Sequence, residues 1–91
     1  MEARAHIFIC GRVQGVCFRD YIRQYACSFR LTGWVKNLVD GRIEALVEGE
    51  KEKIEHLIGK MKEGPPLSWV NDVEVEWEQY KGEFTDFRIT W

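Results

Sequence analysis

The chain is poor in the residues that build staples, metal sites and breaks. Its three cysteines, Cys10, Cys17 and Cys27, are odd in number and form no CxxC pair. That pattern disfavours a disulfide framework or a zinc knuckle and predicts reduced thiols. The two histidines, His6 and His56, stand far apart with no HExxH pattern around either, so neither a metal nor another cofactor is expected. The two prolines, Pro65 and Pro66, are adjacent, and no stretch is rich enough in Pro, Ser or Gln to suggest a linker or disorder. The apolar run near the start, Ile7 to Cys10, is shorter than a signal-peptide core and far shorter than a membrane span. A cytoplasmic protein with no membrane partner is therefore expected.

What is present fits one small globular unit. With 91 residues, 45% of them hydrophobic and 31% charged, residues 1–91 are expected to form a single domain. A chain of this size buries somewhat over ~60% of its unfolded surface. The net charge of -2 hides an asymmetry. Residues 1–39 hold six basic and two acidic side chains, a net of +4, whereas residues 40–91 hold seven and thirteen, a net of -6. From Ala3 to Arg19 there is no acid, only His6 and the cations Arg4, Arg12 and Arg19. A field of that size suits a small phosphate better than a polynucleotide.

Periodicity supplies the elements. Residues 5–10 are β-prone and are followed by Gly11 and Gly15, a strand running into a glycine loop. From Phe18 the apolar positions Tyr21, Ile22, Tyr25, Ala26 and Phe29 recur at helical spacing, with Gly33 marking the exit. Residues 34–39 and 42–48 flank Asp40 and Gly41 and predict a hairpin. Ile54, Leu57, Ile58 and Met61 form the stripe of a second helix, ended by Gly64, Pro65 and Pro66 and favoured at its start by Glu50 and Glu52. Val73, Val75 and Trp77 alternate with Glu74, Glu76 and Glu78, and Phe87, Ile89 and Trp91 repeat the alternation in a short closing strand. The order βαββαβ plus a last strand predicts a ferredoxin-like α+β sandwich, an antiparallel sheet with both helices on one face.

The segment expected to carry chemistry is GRVQGVCFR, residues 11–19, between a strand and a helix start. Glycines let backbone N–H groups turn inward, the helix start adds a positive dipole end, and Arg19 adds a forked permanent cation matched to phosphate oxygens. Composition alone leaves Arg19 equally open to being a solvated first-turn residue, because a glycine loop is a weak signal. No Lys followed by Ser or Thr comes after Gly15, which disfavours a nucleotide triphosphate loop. Cys17 and Arg23 have the spacing of cysteine phosphatases, but the residues between them are helical and lack glycine, so their N–H groups are committed to the helix.

GRVQGVCFR resembles the phosphate-loop signature of the acylphosphatase family at every fixed position, with Cys17 in the variable slot. Residues 33–44, GWVKNLVDGRIE, resemble the family's second motif, with Lys36 where Arg is common and Ile43 where Val is common. The resemblance extends over essentially the whole chain. It implies that the backbone amides of Arg12, Val13, Gln14, Gly15, Val16, Cys17, Phe18 and Arg19 bind a phosphoryl group. It further implies that Arg19 is the catalytic arginine and that Asn37 orients the attacking water. By strand alternation Asn37 shares a face with Val35, which leaves its amide at an apolar edge in need of a partner. As an isolated residue near Asp40, it could equally bond its own turn.

The expected activity is hydrolysis of acyl phosphates to a carboxylate and inorganic phosphate, without metal or covalent intermediate, by a monomer that binds no nucleic acid. Two other readings compete with it. A non-catalytic ferredoxin-like module would need exposed aromatics on central strands to bind RNA, and RIEALVE (residues 42–48) has none. An acylphosphatase-like domain of a larger carbamoyl-transfer protein is the other. The acids Glu74, Glu76 and Glu78 read as a solvated face, and Tyr21, Tyr25 and Phe29 as core.

Overall fold

Alternation in the first strand sets the layering. A computed structural model describes all residues from Met1 to Trp91. In β1 (Glu2–Arg12), Ala5, Ile7 and Ile9 point to one face and are fully buried, while Arg4, His6 and Phe8 point to the other. The elements that follow are α1 (Phe18–Ser28), β2 (Thr32–Asn37), β3 (Ile43–Glu50), α2 (Lys51–Glu63), β4 (Trp69–Glu78) and β5 (Phe87–Ile89). The sheet order is β4-β1-β3-β2-β5, so β1 and β3 lie inside it and pair antiparallel, Ile7 opposite Ala45. Both helices cover the face that carries Ile7. Phe18, Ile22 and Ala26 of α1 and Ile54, Leu57 and Met61 of α2 join Ile7, Ile9, Val35, Ile43 and Val47 in one core. This is the expected ferredoxin-like α+β arrangement.

Three details differ from the sequence expectations. The sheet is mixed: β1 to β4 pair antiparallel, but β5 joins β2 in parallel. Residues 79–86 carry the chain from the β4 edge to the opposite edge, and this crossing sets the direction of β5. The first helix ends before Gly33, because Leu31 N–H reaches the Ala26 carbonyl (2.8 Å) and Arg30 N–H the Cys27 carbonyl (3.1 Å), with Arg30 itself left-handed at φ 60°. That is a Schellman stop built on an arginine. Gly33 instead lies inside β2, where a Cβ would collide with the Leu46 carbonyl. The β2–β3 connection is also longer than a two-residue turn: Leu38 N–H donates to Arg42 O (2.8 Å), and Asp40 accepts from Arg42 N–H (3.1 Å).

The crossing segment is fastened by a buried carboxylate. Glu48 of β3 is 1% exposed and accepts the backbone N–H groups of Lys81 (2.7 Å), Gly82 (3.2 Å) and Glu83 (3.1 Å). Arg4, 7% exposed, bonds Glu48, Glu78 and Glu83 from the neighbouring strand. Burial pushes the Glu48 carboxyl up, but the three N–H donors and Arg4 outweigh it and hold the group below the ordinary carboxylate range. The unfolded chain thus takes up this proton more readily than the folded one. Stability from Glu48 is present above the ordinary carboxylate value and is lost as pH falls through the folded one. Thermal melts should show a midpoint that declines below about pH 4. Glu48→Gln should lower the midpoint at neutral pH and flatten that decline; an unchanged acid limb would show that Glu48 does not contribute to it.

Candidate active site

Residues 13–17 connect the end of β1 to the first turn of α1. Gly15 (φ 74°) and Cys17 (φ 62°, ψ 27°) both have positive φ, with Val16 at negative φ between them. Alternation in the sign of φ can turn successive N–H groups toward one side, as in an anion nest. No backbone N–H from Val13 through Asp20 donates to a protein acceptor, and the first helical amide with a partner is that of Tyr21, on Cys17 O at 3.1 Å. Free donors and the positive end of α1 therefore coincide.

A second strand end closes the site. Asn37, the last residue of β2, brings its amide to the same place, and the loop is tied to that hairpin by Gln14. Gln14 Nε2 donates to the carbonyls of Leu38 (2.7 Å) and Arg42 (3.0 Å). The resulting cavity of about 510 Å³ is walled by the loop, Arg19, Asp20, Asn37, Ile89 and Trp91. The Arg19 guanidinium carbon lies 4.5 Å from the centre of the Trp91 ring.

Two buried side-chain polar atoms in the molecule lack a hydrogen-bond partner, Arg19 Nη1 and Asn37 Oδ1. Both residues line this one cavity. An unsatisfied buried donor or acceptor costs roughly 1–3 kcal/mol, which proteins otherwise avoid. One donor and one acceptor thus stand open on residues that line a single cavity.

Of the residues singled out in the sequence, Val13, Gly15, Cys17, Phe18, Arg19 and Asn37 meet at the cavity. The side chains of Arg12, Gln14 and Val16 are not among its walls: Arg12 is exposed at the end of β1, and Val16 packs against the core. Cys17 and Arg23 do not form a phosphatase pair, because Arg23 Nε donates to the Phe87 carbonyl at 3.4 Å. His6 bonds Glu44 on the opposite face of the sheet at 2.6 Å, and His56 packs edge-on against Phe29. Asp20, Ile89 and Trp91 also line the cavity, although no motif in the sequence points to them. Asp20 was the most accessible of these, since it follows Arg19 in the first turn of α1.

The whole chain compares closely with known proteins. The acylphosphatase family model matches residues 5–89. The chain belongs to the acylphosphatase family. The acylphosphatase of Pyrobaculum arsenaticum is 51% identical over 88 residues, 96% of this chain and 93% of that protein. That of Pelotomaculum thermopropionicum is 44% identical over 88 residues, covering 97% and 96%. The crystal structure of acylphosphatase from Bacillus subtilis superimposes with a TM-score of 0.95 at 36% identity, covering both chains fully. The enzyme class is accordingly that of an acylphosphatase, acting on a small-molecule acyl phosphate. No helix is long and apolar enough to cross a membrane.

The loop carries a side chain, that of Cys17, at a left-handed position. Cys17→Gly removes both the backbone strain and the thiol. The variant is expected to gain about 1 kcal/mol in denaturant unfolding and to keep its turnover of an acyl phosphate. Loss of turnover with an intact fold would make the thiol part of the chemistry.

Proposed function

We propose that the free amides of the loop and of the first turn of α1, together with Arg19, hold the phosphoryl group of an acyl phosphate. In the same proposal Asn37 orients the water that attacks phosphorus, with neither a metal nor a covalent intermediate. The observation that carries it is the meeting of two otherwise unpartnered buried atoms, Arg19 Nη1 and Asn37 Oδ1, at a nest of free N–H groups.

The chemistry needs little more. The leaving group is a carboxylate, stable as an anion, so no strong acid has to protonate it. Catalysis then rests on positioning and charge. The Arg19 fork and the loop amides donate to the phosphoryl oxygens and neutralise them, and that charge would otherwise repel a nucleophile. Asn37 Oδ1 accepts one water O–H, which leaves a lone pair on the water oxygen free for phosphorus. A bond forms from the water oxygen to phosphorus as the bond from phosphorus to the acyl oxygen breaks. The water proton passes to a phosphoryl oxygen, and the products are a carboxylate and inorganic phosphate.

Asn37→Ala should lower kcat by roughly 10² to 10³ while the inhibition constant for inorganic phosphate stays close to that of the parent. Arg19→Ala should damage both. Phosphate release from acetyl phosphate, measured in the presence of a chelator, reads each outcome, and a variant as fast as the parent would remove that residue from the site.

Asp20 provides a separate check, because its exposed carboxylate stands at the cavity wall. A general base is worth roughly 10² or more in rate. Asp20→Asn should lose far less than that, as the substrate's own oxygen takes the proton; a hundredfold loss with a displaced pH profile would make Asp20 the base.

A further inference from the structure

The cavity is larger than a phosphoryl group requires, and its remaining space has a chemical character. At about 510 Å³ it lies in the range of sites for whole small molecules. Its polar features gather at the loop, Arg19, Asp20 and Asn37, while Val13 and Phe18, each 1% exposed, belong to the core beneath. Of the other apolar residues on its walls, Ile89 is half-buried and Cys17 and Trp91 are exposed.

Trp91 is 88% exposed, an unusual condition for the largest apolar side chain. Its ring is nevertheless placed, with the Arg19 guanidinium 4.5 Å from the ring centre. Trp91 also borders an adjoining hollow of about 450 Å³ with Trp34 and Phe84 on its walls, so it stands on the crest between two cavities. An acyl group leaving the phosphoryl site along this wall meets a flat, solvent-facing indole with open space beyond it.

The geometry points to Trp91 as the specificity wall of the site, selecting acyl phosphates whose acyl group is aromatic or otherwise flat and apolar over those with a short aliphatic one. This rests on the phosphoryl assignment to the loop and Arg19. The indole has two effects that act differently on substrates. Its contact with Arg19 steadies the cation for every substrate alike, whereas its exposed surface gains only when an apolar acyl group covers it.

The test compares kcat/KM for benzoyl phosphate and acetyl phosphate in the parent, Trp91→Ala and Trp91→Tyr. Trp91 lies beyond β5 and is exposed, so far-UV circular dichroism should find both variants folded. In Trp91→Ala both values should fall, with the benzoyl-to-acetyl ratio dropping about fivefold. In Trp91→Tyr, which keeps a flat ring, the ratio should stay within about twofold of the parent. An unchanged ratio in Trp91→Ala would overturn the specificity role even if both rates fall, since Arg19 placement alone lowers them together. A parent protein that releases phosphate from neither substrate would instead overturn the phosphoryl assignment, so the two failures are distinct.

Discussion

Everything at the site depends on the peptide N–H groups that α1 and its leading loop leave unbonded. A helix start always leaves such donors open, and most proteins cap them with a side chain. Here the N-cap is Cys17, which makes no side-chain cap, and the left-handed turns at Gly15 and Cys17 extend the open donors back to the end of β1. The outcome is a concave positive surface assembled from backbone, to which Arg19 adds a full charge. The fold gives these donors no partner of its own, and the proposed phosphoryl binding rests on that.

The same device occurs in a completed form on the far face of the sheet. Three successive N–H groups, from Lys81, Gly82 and Glu83, converge on the buried Glu48 carboxylate. That nest has its anion built in and serves the fold, because it fixes the segment that carries the chain across to β5. Its effect reaches the site through connectivity: β5 lies beside β2 and leads directly to Ile89 and Trp91. One nest is filled by the protein and holds the architecture in place. The other has no acceptor within the protein, which is the basis for proposing a ligand there, and Gln14 ties it to the hairpin whose strand end carries Asn37.

The sequence disclosed the elements because their signals are local. Helical spacing from Phe18 and from Ile54, strand alternation in β4, and the glycines before α1 each arise from neighbouring residues. Arg19 was legible for the same reason, being a cation at a helix start in an acid-free stretch. Asn37 was legible as an amide on an apolar face, but the role proposed for it rests on the family resemblance. Gln14 bonds carbonyls more than twenty residues away, so no local pattern announces it. Trp91 continued the alternation of the last strand and was assigned to it, whereas it lies beyond β5 with its ring over Arg19. Gly33 looked like a helix stop, yet the Schellman hydrogen bonds at Arg30 already end the helix, and the glycine is needed where two strands meet closely. For Gln14, Trp91 and Gly33 the deciding contact is long-range, whereas the helix stop is local but falls on an arginine where a glycine is usual.

The central claim is that the backbone nest and Arg19 together hold a phosphoryl group, and titration of the isotope-labelled protein with inorganic phosphate tests it most directly. Amide and side-chain NMR signals should shift most at Gly15 to Arg19, with the Asn37 side-chain amide and the Trp91 indole responding beside them, and with one dissociation constant common to all. If the loop amides stay still while phosphate binds elsewhere, or if phosphate at high concentration moves none of these signals, the account is contradicted.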